Sequence, residues 1–199
     1  MPVMCPLKYS TYYWQKTAGT GNSFKGGVFV AAWSGIRHKL ESEYLAESLR
    51  GHIQYFATTY SYSPDHEGRA SIRLDGEEIL RGNFYNQWFK VEQFPHDDKY
   101  ELRIKFENPV MDDVAIDLGL FDQRSFYEAF REFDGQSIEK SLESDNLLVR
   151  IFALLDRRVG KRRLYRMAAT MEQQPTVIQR FFEIRAKAEG MKEGAEHQF

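Results

Sequence analysis

Cysteine is nearly missing from this sequence. Cys5 stands alone among 199 residues, so neither an internal disulfide nor a CxxC metal clip can form. A chain that does without disulfides suits a reducing compartment, and the expected location is the cytoplasm. No apolar run approaches the roughly 18 residues of a membrane span. The N-terminus lacks a charged segment followed by a continuous apolar stretch, so neither a secretory signal nor a membrane partner is expected. Net charge is missing too: 27 Lys+Arg against 29 Asp+Glu leave −2. A balance this close to neutral gives no global attraction to nucleic acid or anionic lipid, and any such attraction must come from a local cluster.

Catalytic and metal motifs are equally scarce. His38, His52, His66, His96 and His197 fall at no metal-ligand spacing, and there is no G-x-S-x-G elbow. The stretch GTGNSFKGG, residues 19–27, has the outline of a phosphate loop. However, Gly26 follows Lys25, so the magnesium-binding hydroxyl is absent. Asp65-His66-Glu67 and His96-Asp97-Asp98 join acids to imidazole, each in a predicted turn where polar residues gather for solvation alone. The sequence therefore proposes no catalytic residue, metal ligand or cofactor, and the chain reads as leaning away from an enzyme. A hydrolase with a carboxylate–His site assembled near Asp65, His66 and Asp75 stands as a third reading. A deep pocket there would support it, and a convex hairpin tip would remove it.

What is present is a core. Apolar residues make up 42% and aromatics 15%, enough ring surface to offset chain entropy. The length fits one domain, expected over residues 33–189, with residues 1–32 as a doubtful or flexible extension and 190–199 as a frayed tail. Lys25-Gly26-Gly27 can be encoded by a purine-rich tract resembling a ribosome-binding site, and Val30 lies at the spacing of a GTG start. Translation is expected to begin near Val30, and codons 25–27 without such a tract would remove that support.

Periodicity then sets the elements. Ser34 is read as the cap of a helix with Ile36, Leu40, Tyr44, Leu45 and Leu49 along one side, ended by Gly51. His52–Tyr62 and the alternating Ala70, Ile72 and Leu74 read as strands, with Asp75-Gly76 as a tight turn into Glu78-Ile79-Leu80. Tyr100, Leu102, Ile104 and Phe106 alternate most cleanly and point to an antiparallel sheet with one wet face. Beyond Pro109 the pattern is helical, with caps expected at Asp122, Ser137 and Asp145. Leu147–Leu155 is apolar all round and so buried, and Gly160 is expected to end or kink it. Residues 161–172 form a basic amphipathic helix, and Val177, Ile178, Phe181 and Phe182 make a last apolar stripe. The predicted fold is α+β: a small antiparallel sheet of three to five strands, an N-terminal helix, and a helical C-terminal half packed on it.

Charge is segregated along that C-terminal half. Residues 150–166 carry seven cations against Asp156, whereas residues 107–145 carry eleven carboxylates against three cations. Two explanations compete. Arg157 and Arg158 can meet the negative end of the buried helix, with the other cations paired to acidic helices and Arg150 bound to a carboxylate or carbonyl. Alternatively, Arg157, Arg158, Lys161, Arg162, Arg163 and Arg166 bind phosphates or weakly bind nucleic acid, which positions a protein without reading sequence. The row Phe56, Tyr60 and Tyr62, together with Trp88, offers an aromatic platform for a protein partner if helices leave that sheet face bare.

Three segments together resemble a family of small uncharacterised bacterial proteins: WSGIRHKLE (Trp33–Glu41), SLRGHIQYFATTYSYSPDHEGRASIRLDG (Ser48–Gly76) and LLVRIFALLDRRVGKRRL (Leu147–Leu164). Its distinctive pieces are a WSxxRxxLE start and the LLDRRVGKRRL block. In that family the start lies close to the initiating Met, which agrees with translation beginning near Val30. The resemblance implies kinship and brings no activity with it. The leading expectation is a non-catalytic, intracellular protein-interaction module, with an immunity- or antitoxin-like role inside that class. Phosphate or nucleic-acid binding through 157–166 is the alternative. The oligomeric state is left open.

Overall fold

The computed structural model describes residues 32–60, 68–83 and 113–191. The glycine-rich leader, Asp65, His66, Tyr62, Trp88, His96 and the strand expected at Tyr100–Phe106 lie outside the described residues.

Helix α1 (Trp33–His38) runs straight into a wide π turn, Lys39–Tyr44. It starts one residue before the expected cap, from Ala32, with no side chain closing its end. The helix stops at Tyr44, not at Gly51 as expected, because Leu45 leaves the helical conformation to pair with Asp156; after a separate 3-10 turn at Glu47–Leu49, Gly51 adopts φ +81°, the left-handed conformation expected of it. The chain then builds an antiparallel sheet in the order β1 (Ile53–Thr59), β2 (Gly68–Leu74), β3 (Glu77–Asn83). Asp75 and Gly76, at φ 51° and 88°, form the two-residue loop between β2 and β3.

The helical half follows: α2 (Asp113–Asp117), α3 (Gln123–Asp134), α4 (Ile138–Leu142), α5 (Leu147–Leu155), α6 (Lys161–Ala168) and α7 (Thr176–Ala188). Asp122 caps α3 by accepting from the Ser125 amide at 2.9 Å, and Ser137 caps α4. The cap of α5 is Asn146, one residue after the expected Asp145, because the Asn146 Oδ1 accepts from the Leu148 amide at 3.0 Å. The basic helix is shorter than its pattern suggests, ending at Ala168 before a 3-10 turn at Met171–Gln173.

Alternation decides which sheet face is covered. Ile53, Tyr55 and Ala57 of β1 and Ala70 and Ile72 of β2 are buried against α3, which in turn packs on α5. Aromatic rings bind these layers. Tyr55 meets Phe152 edge-on at 5.7 Å, Phe152 meets Phe126 at 5.2 Å, and Phe121 stacks on Phe126 at 6.0 Å. α5 sits innermost, with every residue but Arg150 buried. The outer edge of β1 is closed by Glu41, whose carboxylate accepts from the Tyr55 amide at 2.8 Å while holding Arg37 at 3.0 Å.

The opposite sheet face is ionic. Glu78 accepts from Arg69, Arg73 and Ser71, and both guanidinium groups lie over the Phe56 ring, at 5.8 and 4.9 Å. Burial works against the Glu78 charge, but hydrogen bonds from Arg73 and Arg69 prevail and hold its carboxyl below its ordinary value of 4.5. Asp134 behaves likewise: burial opposes its charge, and hydrogen bonds from Tyr44 and Lys39 lower its pKa below 3.8. A carboxylate depressed in the folded state adds stability that is complete above its unfolded pKa and disappears as pH falls through the folded one. Urea midpoints should therefore fall on acidification below about pH 4.5. The fall should be shallower in Asp134→Asn and in Glu78→Gln than in the parent. Equal slopes in all three would disprove the assignment.

Candidate functional site

Once folded, the cations of the basic block fall into three groups, with Arg166 in both the second and the third. The first group is structural. α5 does not continue to Gly160. It stops at Leu155, Asp156 takes an extended backbone, and Gly160 becomes the N-cap of α6. The cause is pairing with the N-terminal segment. Leu45 bridges Asp156, the Ala46 amide donates to Leu155 O at 2.9 Å, and the Arg157 amide donates to Tyr44 O at 2.7 Å. Asp156 is 0% exposed and receives the Arg158 amide at 2.6 Å and its Nε and Nη2 at 3.0 and 2.7 Å. Those bonds hold the Arg158 guanidinium above its ordinary pKa, and it lies over the Tyr44 and Phe133 rings at 4.9 and 5.3 Å. Lys161 approaches Glu189 at 3.8 Å.

The cation that serves the end of α5 is one the sequence reading does not single out. Arg185 of α7 is 2% exposed. Its Nη1 donates to Leu155 O at 3.0 Å and Asp156 O at 3.3 Å, its Nη2 to Val159 O at 3.0 Å, and Glu189 balances its charge at 3.1 Å. Its signal lies in spacing: 185 is one turn beyond Phe181 on the apolar stripe of α7.

The second group is exposed. Arg157, Arg162 and Arg166 are exposed, and among the described residues no ion pair involves them. Tyr165, 50% exposed, sits among them.

The third group lines a cleft of about 440 Å³ between α4, α5, α6 and α7, within the range of small-molecule sites. Arg150, Arg163 and Arg166 bring positive charge, Glu139 and Glu143 negative charge, and Thr170 and Gln174 neutral polar groups. Leu142, Met167, Met171 and Ile178 supply apolar lining. Arg163 donates through Nη2 to Glu139 at 2.7 Å, which lowers the Glu139 pKa, while its Nη1 is buried without a partner. Arg150 donates through Nη2 to the Gln174 side-chain carbonyl, meeting the expectation of a carbonyl partner, yet its Nε is likewise buried and unsatisfied. Burial lowers the Arg150 pKa, against the pull of Asp113 and Asp145. Both unpartnered nitrogens are closed off from solvent, so an anion in the cleft would meet the rest of each guanidinium group and not these two atoms. Spacing along α6 suggests the Arg163 and Arg166 side of this cleft. The joining of Arg150 and Glu143 to it is tertiary and has no local signal.

Elsewhere, His52 Nδ1 lies 2.6 Å from Asp75 Oδ1, but both side chains are well exposed beside the β2–β3 turn. Among the described residues no three His, Cys, Asp or Glu gather as a metal site, and no helix is long and apolar enough to cross a membrane. Phe56 lies beneath Arg69 and Arg73, and Tyr60 just beyond β1 is partly buried. Tyr62 and Trp88, the other interaction-surface candidates, are outside the described residues.

An α+β protein with a buried helix α5 at its centre and an arginine-lined cleft beside it is the class these observations define. Residues 32–186 match the SF0329 protein family, and the chain belongs to it. No curated protein and no solved structure matches the chain.

Proposed function

We propose that this chain is a non-catalytic binding module whose site is the cleft between α4 and α7, and that it captures a ligand bearing an anionic group. The observation that carries this reading is the convergence of three guanidinium groups, Arg150, Arg163 and Arg166, on one cleft that holds two carboxylates, Glu139 and Glu143. A carboxylate or phosphate oxygen accepts charge-assisted hydrogen bonds from guanidinium groups, the strong kind. The exposed, solvated pairing of His52 with Asp75 lends no support to a hydrolase there.

Calorimetric titration of the full chain with 4-methylpentanoate as probe tests the proposal. Saturable binding is expected, weakened at least about tenfold in Arg150→Met and in Arg163→Met and unchanged in Arg157→Gln. Parent-like affinity in both cleft variants would overturn it.

A second reading has its own support. Arg157, Arg162 and Arg166 with Tyr165 form an exposed cationic surface suited to phosphates and a stacked base. Anisotropy with short DNA and RNA across a salt series should then show affinity falling steeply with salt, with a smaller slope in Arg157→Glu/Arg162→Glu. No binding at low salt would remove this reading while leaving the cleft intact. The aromatic platform for a protein partner has less behind it, since Phe56 is covered by two guanidinium groups.

A further inference from the structure

We infer that the cleft ligand is amphoteric: an α-amino acid or short peptide with an apolar side chain, carrying a carboxylate and an ammonium together. This rests on the anion-site reading above and narrows it.

The lining sets the charge requirement. Three guanidinium groups favour an anion, but Glu139 and Glu143 share the cleft with them. Glu139 is committed to Arg163 at 2.7 Å. Glu143, just past the end of α4, is exposed, and among the described residues no cation is paired with it. A phosphate monoester or a dicarboxylate would bring two negative charges against that free carboxylate, where like charges repel. An amine alone would meet three guanidinium groups. A ligand with one charge of each sign avoids both conflicts, its carboxylate facing the guanidinium groups of Arg150, Arg163 and Arg166 and its ammonium answering Glu143.

The remaining lining sets the body of the ligand. Leu142, Met167, Met171 and Ile178 give an unbranched-to-branched aliphatic surface. Methionine adapts to irregular apolar shapes and so tolerates several side chains. Thr170 and Gln174 are neutral groups able to hydrogen-bond an amide or ammonium N–H. The cleft's 440 Å³ admits one amino acid or two joined.

The experiment is calorimetry of the full chain with L-leucine, leucyl-leucine, 4-methylpentanoate, 3-methylbutylamine and inorganic phosphate. Leucine or leucyl-leucine should bind at least tenfold more tightly than 4-methylpentanoate, and the stronger of the two identifies a free amino acid or a peptide as the source. In Glu143→Gln, an exposed position, that advantage should vanish while 4-methylpentanoate binds as tightly as before or tighter. If 4-methylpentanoate or phosphate matches leucine in the parent, the amphoteric assignment fails and the anion site stands. If an advantage for leucine survives Glu143→Gln, the role given to Glu143 fails. If none of the five binds, both readings of the cleft fail together.

Discussion

Replacing Arg185 by leucine is expected to lower the unfolding free energy by about 3 kcal/mol, and the melting temperature by about 10 °C for a chain of this length. Leucine fills much of the space but accepts none of the duties. Val159 O loses its Nη2 donor, Leu155 O and Asp156 O each lose one of two donors, and Glu189 loses its buried partner. The loss is larger than for a surface ion pair because the guanidinium is 2% exposed and water cannot take its place. Arg185→Lys should fall between, since one ammonium cannot fork across three carbonyls. Urea unfolding of the three proteins measures the order. A leucine variant within about 0.5 kcal/mol of the parent, the usual range of surface changes, would mean that Arg185 does not hold the end of α5.

That prediction concerns a residue that pattern reading passes over, and the reason is physical. Periodicity reports which side of an element is apolar, so it locates α5, the stripe on α7 and the strands β1 to β3. It says nothing about a polar side chain that is buried because its partners are carbonyls from another element. Arg185 and Asp156 are of that kind. The same limit applies to LLDRRVGKRRL. As sequence it is a run of cations next to a helix. Folded, Leu155 O and the Arg157 amide fasten the start of that run to Ala46 and Tyr44, Asp156 holds Arg158, and among the described residues Arg157, Arg162 and Arg166 are the exposed cations of the run in no ion pair. Of the segments that carry the family resemblance, Leu147–Leu164 is thus fastened to the link between the other two, which are tied to each other through Glu41 and the Tyr55 amide. The candidate site was half legible. Arg163 and Arg166 follow from helical spacing, whereas Arg150 enters the same cleft only because α5 packs beside α4 and α7.

Glycine 82 carries the second large effect. It sits on β3 opposite Ala70, where the strand backbone lies directly on Phe121. A Cβ there would stand 2.3 Å from Phe121 O and 2.4 Å from its ring. The nearer atom is backbone, so no rotamer change relieves the collision. Either β3 or the segment carrying Phe121 must move. Phe121 is fully buried and stacked on Phe126 at 6.0 Å, which in turn meets Phe152 of α5, so movement there is felt through the aromatic core. Gly82→Ala should therefore cost about 3 kcal/mol. Gly35→Ala is the control, since a Cβ at Gly35 meets nothing within 4 Å on helix α1, and it should stabilise by about 0.5–1 kcal/mol. On α5 it is Arg150 that lines the cleft and Phe152 that meets Tyr55 of the sheet, so the folded fraction of Gly82→Ala should bind 4-methylpentanoate as the parent does. Two methyl groups of identical chemistry would then move stability in opposite directions, and the sign at each is set by what the backbone already touches. Parent-like stability in Gly82→Ala would mean that β3 does not rest on Phe121, and the contact joining the sheet to the helical half would have to be redrawn.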